Sequence, residues 1–133
     1  MYLVDQDGFI YGTTSNAAMA LDVQDKTTTP LGIGKTVATT SIVSTYHDIY
    51  NQLTAAGFKI TNLYVADTLF QIGAVTSGNA KINWQPKNPI DLLLITSYPT
   101  NTQVSIILAT IASQPDKITN RIDVRVPGYV YVK

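Results

Sequence analysis

Residues 40–66 read TSIVSTYHDIYNQLTAAGFKITNLYVA, and the hydrophobic period changes once within them. Ile42, Val43, Tyr46, Ile49, Tyr50 and Leu53 recur at spacings of three and four, which is one face of a helix. Thr40 or Ser41 can cap its start, and Gly57 can end it, because glycine takes the left-handed conformation that closes a helix without steric cost. Past Gly57 the pattern alternates, with Ile60, Leu63 and Val65 apolar, which is the period of a strand. A helix that hands over directly to a strand, followed by more strands, predicts an α+β chain.

Downstream, Leu69 to Val75 and Ala80 to Trp84 continue as strands, with Asp67-Thr68 and Ser77-Gly78-Asn79 as the turns of an antiparallel meander. The proline-broken stretch Gln85 to Pro89 precedes a short apolar run, Asp91 to Thr96, which reads as another strand. Tyr98-Pro99 breaks the chain again. Asn101 to Ala112 predicts a second helix with Val104, Ile107, Leu108 and Ile111 on one face, capped by Thr100 or Asn101 and stopped at Gln114-Pro115. Two alternating segments close the chain, Arg121–Val126 and Tyr129–Val132, joined by Pro127-Gly128. Upstream, Tyr2-Leu3-Val4 and Phe9-Ile10-Tyr11 flank Asp5-Gln6-Asp7-Gly8, a hairpin signal. Residues 13–30 read as an irregular, Thr-rich connection with one short element at Ala17–Leu21, and Leu31 to Val37 as an extended, Gly-broken segment. The expected fold is a mainly antiparallel twisted sheet with two helices packed on one face.

Composition sets the outer limits. The 133 residues make one domain, and 45% apolar content supports a packed core. Nine basic residues balance nine acids, so the basic excess expected of a phosphate-neutralising nucleic-acid binder is missing. Every acid is Asp, there is no Glu, and Thr occurs eighteen times, a bias toward strands, turns and caps. Without Cys there is no disulfide framework, thiolate metal site or Cys nucleophile. No apolar run approaches the length of a membrane span; Leu92-Leu93-Leu94-Ile95 is only four residues long. No signal peptide is visible at the start, and the chain opens almost directly on a strand, as a domain cut from a longer protein would.

Motifs for chemistry are weak. Gly32-Ile33-Gly34-Lys35-Thr36 resembles the end of a phosphate-binding loop, but Thr29 stands where the first glycine belongs. Asp5-x-Asp7-Gly8 opens like a calcium loop, yet Phe9, Ile10 and Tyr11 follow in place of oxygen ligands. The single histidine, His47, adjoins Asp48 on a helix, where neighbours point in different directions. No nucleophile elbow accompanies it. The expectation is a non-enzymatic domain with no catalytic, cofactor-binding or metal-binding residues. Tyr129 and Tyr131 lie on one face of the last strand, and Val130 and Val132 on the other. Two readings of that strand stand side by side: a free edge that recruits a partner strand, or an edge protected by Lys133.

Two stretches carry a resemblance. Residues 2–10, YLVDQDGFI, are similar to the entry hairpin of the β domain of the bacterial division protein family FtsQ/DivIB. Residues 122–132, IDVRVPGYVYV, are similar to that family's closing hairpin, and the order of elements between them resembles the family's over nearly the whole chain. The family's membrane helix and the small domain before the β domain are absent from these residues, and Thr29-Pro30 replaces its common Leu-Pro entry.

The resemblance implies a division scaffold on the extracytoplasmic face of the cell membrane, monomeric on its own. It would bind FtsB/DivIC- and FtsL-type division proteins by strand addition to its C-terminal edge. By position, Val126, Gly128, Tyr129 and Tyr131 would form that edge. Asp5, Asp7, Gly8, Asp123 and Arg125 would be structural signature positions, with Asp123 and Arg125 pairing as opposite charges on one face. Proline at position 131 would then block docking, on the premise that the Tyr131 N–H points away from the sheet. Two other classes fit the composition: a structural or attachment module of a phage or surface fibre, and a small-molecule enzyme built around His47.

Overall fold

The computed structural model describes residues 2–4, 10–13, 23–25, 40–66, 68 and 70–133. The fold is α+β, with eight strands and two α-helices among these residues. Strands β1 (Tyr2–Val4) and β2 (Ile10–Thr13) form an antiparallel hairpin in a sheet of their own. The signature positions Asp5, Asp7 and Gly8 lie outside the described residues, as do Ala17–Leu21 and the glycine-rich stretch 32–36. The main sheet has six strands in chain order: β3 (Gln24–Asp25), β4 (Phe58–Val65), β5 (Gln71–Asn79), β6 (Ile90–Ile95), β7 (Arg121–Asp123) and β8 (Tyr131–Val132). Its junctions are mixed, three antiparallel and two parallel. Pairs β4–β5, β5–β6 and β7–β8 are antiparallel, whereas β3–β4 and β6–β7 are parallel.

Helix α1 (Thr40–Ala55) forms where the helical period predicts it, burying Tyr46, Ile49 and Leu53 and leaving His47 and Asp48 in solvent. Its C-terminus is sealed by the far end of β5. Gly57 takes φ 102°, and the last carbonyls of the helix accept from two side chains. Lys81 Nζ donates to Ala55 O at 2.6 Å, and Asn79 Nδ2 donates to Ala56 O at 3.1 Å. A cation at that end also opposes the negative pole of the helix.

Asn79 overturns one sequence expectation. Residues 77–79 are not a turn; β5 runs through to Asn79. The expected strand over 80–84 is instead the turn, closed by paired main-chain bonds between Asn79 and Trp84, each 2.9 Å. Asn79 Oδ1 accepts from the Lys81 and Ile82 amides, which folds the chain back before a further strand can extend. Trp84 then stands edge-on to Phe58, with ring centroids 6.2 Å apart, and closes this end of the core.

Helix α2 (Thr100–Ser113) contributes Val104, Ile107 and Ile111 to the same core as α1, so both helices cover one face of the sheet. It begins one residue earlier than expected. Pro99 occupies the N-cap position and no side chain caps the helix, which corrects the capping role expected of Thr100 or Asn101. Gln114-Pro115 ends it in a single 3₁₀ turn, Pro115–Lys117.

Leu63 and Val65, Ile72 and Ala74, Ile90, Leu92 and Leu94, and Ile122 face the helices in register. Buried among them is one long polar side chain, Gln103, which is fully inaccessible. Its Oε1 accepts from Ile95 N at 2.9 Å, and its Nε2 donates to Ile95 O and Tyr98 O, both at 2.8 Å. Strand β7 pairs with β6 only as far as Leu93, apart from the Val124 amide bonding back to Leu93 O. Beyond that point Gln103 supplies the hydrogen bonds that a longer β7 would have made.

Replacing Gln103 with Leu keeps volume but strands an amide and two carbonyls in a dry core. We expect Gln103→Leu to lower unfolding free energy by about 2–4 kcal/mol in urea titration.

Candidate docking edge

Strand β8 ends the main sheet: it pairs with β7 on one side and with no described strand on the other. The chain leaves β7 through Val124 and Arg125 and turns at Val126–Tyr129. The Tyr129 amide donates to Val126 O at 3.0 Å, with Gly128 at φ 84°. Proline at the second position of such a turn and a positive-φ glycine at the third match a type II geometry. A Cβ added at Gly128 would meet nothing within 4 Å, so glycine is needed there for its backbone, not for space.

The expected edge residues fall into two groups. Val126, Gly128 and Tyr129 belong to the turn, beyond the paired part of the sheet; Tyr131 alone lies on β8. The two closing strands are also shorter than their alternating pattern suggests, at three and two residues. Exposure is high throughout. Tyr129 is 64% exposed, Tyr131 54%, Val126 45% and Val130 36%, which places four large apolar side chains in solvent along one short stretch. Val132 turns the other way and packs against the core.

Register decides which main-chain groups are free. Lys133 N donates to Arg121 O at 3.1 Å, and Arg121 N donates to Lys133 O at 3.0 Å, so this pair exchanges both bonds. In an antiparallel ladder every second pair does so. Tyr131 opposite Asp123 is therefore also a bonded pair, and its N–H points toward β7. The premise that this N–H faces outward is corrected. The residue whose N–H and C=O point away from β7 is Val132, which lies opposite Ile122 between the two bonded pairs.

The face of the sheet opposite the helices carries polar and aromatic groups near this edge. Tyr64, Gly73, Leu93, Asp123 and Tyr131 make one row across β4, β5, β6, β7 and β8. Tyr64 lies over Gly73, where an added Cβ would fall on its ring. Asp123 and Arg125 form an ion pair at 2.8 Å. Arg125 Nε also donates to Asp123 Oδ1 at 3.0 Å, and Arg125 Nη1 donates to Gln71 Oε1 on β5 at 3.0 Å.

Other sequence candidates do not come together. His47 is exposed on α1, and both oxygens of Asp48 accept from Gln52 Nε2 at 3.0 Å. Among the described residues no cluster of three or more His, Asp, Cys or Glu side chains is placed to hold a metal ion. No described helix is long and apolar enough to cross a membrane. No family model, curated protein or solved structure matches the chain.

Two titrations follow from this face. Burial, then the charge and hydrogen bond of Asp91, push the Tyr64 phenol up to about 12. A phenol raised in the fold stabilises it at pH values below the unfolded value near 10, and that contribution is lost as pH climbs through the folded value. Absorbance titration at 295 nm should show a last-ionising tyrosine that disappears in Tyr64→Phe. For Asp123, burial raises the carboxyl but the hydrogen bonds and charge of Arg125 outweigh it, and the net shift is downward. Its contribution is thus present above the ordinary carboxyl range and lost as pH falls through the folded value. Asp123→Asn should be less stable than wild type at pH 7, with the difference shrinking on acidification when both are followed by denaturant unfolding.

Proposed function

We propose that this domain is a non-enzymatic docking module that receives an extended partner segment as an additional strand on β8. One observation carries the reading: β8 terminates the sheet with the Val132 main chain pointing outward, beside exposed Val126, Tyr129, Val130 and Tyr131. Main-chain bonds to an open edge supply affinity without regard to sequence, and flanking side chains supply selectivity. Burying apolar area against the two tyrosines adds roughly 25 cal/mol per Å².

The resemblance in residues 2–10 and 122–132 supports the finer reading. On it, the partners are division proteins of the FtsB/DivIC and FtsL type, and the domain works on the extracytoplasmic face of a bacterial cell membrane as part of a membrane-anchored protein. The scaffold role needs no cofactor.

The test uses the extracytoplasmic segment of an FtsB/DivIC-type protein from the source organism, titrated calorimetrically. Val132→Pro removes an outward donor while sparing the bonded pairs on either side, and should weaken binding at least about tenfold, given one lost main-chain bond and a disturbed edge. Val130→Ala, which removes apolar contact alone, should weaken it less. Unchanged affinity in a folded Val132→Pro domain would sink the strand-addition reading. No binding by wild type, together with trimers or larger rings in solution, would favour a fibre module instead.

A further inference from the structure

The paired part of β8 is two residues long, and just past it Lys133 O accepts from the Thr119, Asn120 and Arg121 amides. A two-stranded ribbon is marginal in water unless something else fixes it. Val132 makes one apolar anchor, and the Lys133–Arg121 and Tyr131–Asp123 pairs make the ladder. The turn before it projects into solvent at every residue from Val126 to Tyr129. At the exit from β7 the buried Val124 holds the chain through its amide on Leu93 O, and past it the side chain of Arg125 takes over.

Several hydrogen bonds converge there. The Arg125 amide and Nε donate to Asp123 Oδ1, both at 3.0 Å, and Nη2 donates to Asp123 Oδ2 at 2.8 Å. Nη1 donates to Gln71 Oε1 at 3.0 Å. Gln71 is two strands away on β5, opposite Ile95 of β6. The guanidinium therefore spans β6 and ties the exit of β7 to β5. Its planar fork suits this task, because one group holds both carboxylate oxygens and still presents a donor to the amide.

We propose that Arg125, braced by Gln71, is a positioning residue that holds the β7–β8 turn and so keeps the edge strand formed before a partner arrives. Its value for docking rests on the strand-addition reading. An edge already ordered spares the partner the entropic cost of ordering it, so affinity gains without any contact to Arg125.

The latch is read without a partner, by amide hydrogen exchange on the whole domain. In Arg125→Met, which keeps an apolar stem but no donor, exchange at Tyr131 and Lys133 should quicken at least about tenfold, with Leu92 and Leu94 unchanged. Gln71→Leu should show a smaller effect at the same two amides. Arg125→Lys should not restore protection, since an ammonium cannot hold both Asp123 oxygens and Gln71 at once. Unaltered exchange at Tyr131 and Lys133 in Arg125→Met, or full rescue by Lys, overturns the latch. Should Arg125→Met lose protection throughout β6, Gln71→Leu decides: faster exchange confined to β8 supports the latch, and no change overturns it. Loosened β8 with undiminished affinity for the FtsB/DivIC-type segment overturns its role in docking. Absence of wild-type binding overturns docking itself, a result distinct from the exchange outcome.

Discussion

Strand β6 is the element on which the rest depends. It has side chains buried on both faces along its middle, with Leu92 and Leu94 beneath the helices and Leu93 on the opposite side. It also carries the change of direction in the sheet, antiparallel to β5 and parallel to β7. A parallel neighbour needs a crossover, and α2 with its 3₁₀ turn is that crossover. The helix is thereby held against the strand it connects. Gln103 completes the arrangement by satisfying Ile95 where β7 stops short. Central strand, crossover and short closing strand are one construction.

The second face of the sheet is finished differently. Instead of a second helix layer, the described residues show side-chain bridges that cross between strands. Tyr64 crosses over Gly73 toward Asp91, and Arg125 crosses toward Gln71. Each bridge passes over one strand to reach the next, so it ties together strands that share no main-chain bonds. Glycine at position 73 is required for the first bridge because any side chain there would occupy the space of the ring.

Much of this was legible in the sequence, for a physical reason. The change of period at Gly57 and the apolar face of residues 104–111 report local geometry, and local geometry is written in spacing. Three features were not legible because they depend on distant residues. Asn79 looks like a turn residue but is the last residue of β5; its side chain reaches the Ala56 carbonyl just past α1, twenty-three residues earlier, and the turn comes after it. Gln103 looks like an ordinary polar helix position until β7 is found to stop short. The outward main chain of Val132 depends on pairing register. Alternation predicted that Tyr131 and Val132 face opposite sides of the sheet, yet it was silent on which amide the ladder uses.

An edge strand must be accessible to a partner and unattractive to every other chain. Long, flat edges fail the second demand because they template further strands. Strand β8 meets it by brevity: two paired residues, a type II turn immediately before them and Lys133 immediately after. Such a strand offers too few main-chain groups to hold an arbitrary segment. A cognate segment must draw the remainder of its affinity from side chains, and the exposed apolar surface of Val126, Tyr129, Val130 and Tyr131 lies where that contact would fall. Selectivity on this account resides in the turn as much as in the strand, because three of the four expected contact positions sit there. A turn can select only if its shape is fixed. Pro127 and Gly128 fix its backbone, and the bridge from Arg125 to Asp123 and Gln71 fixes its attachment to the sheet. The shortness that protects the edge is therefore what makes its scaffolding necessary.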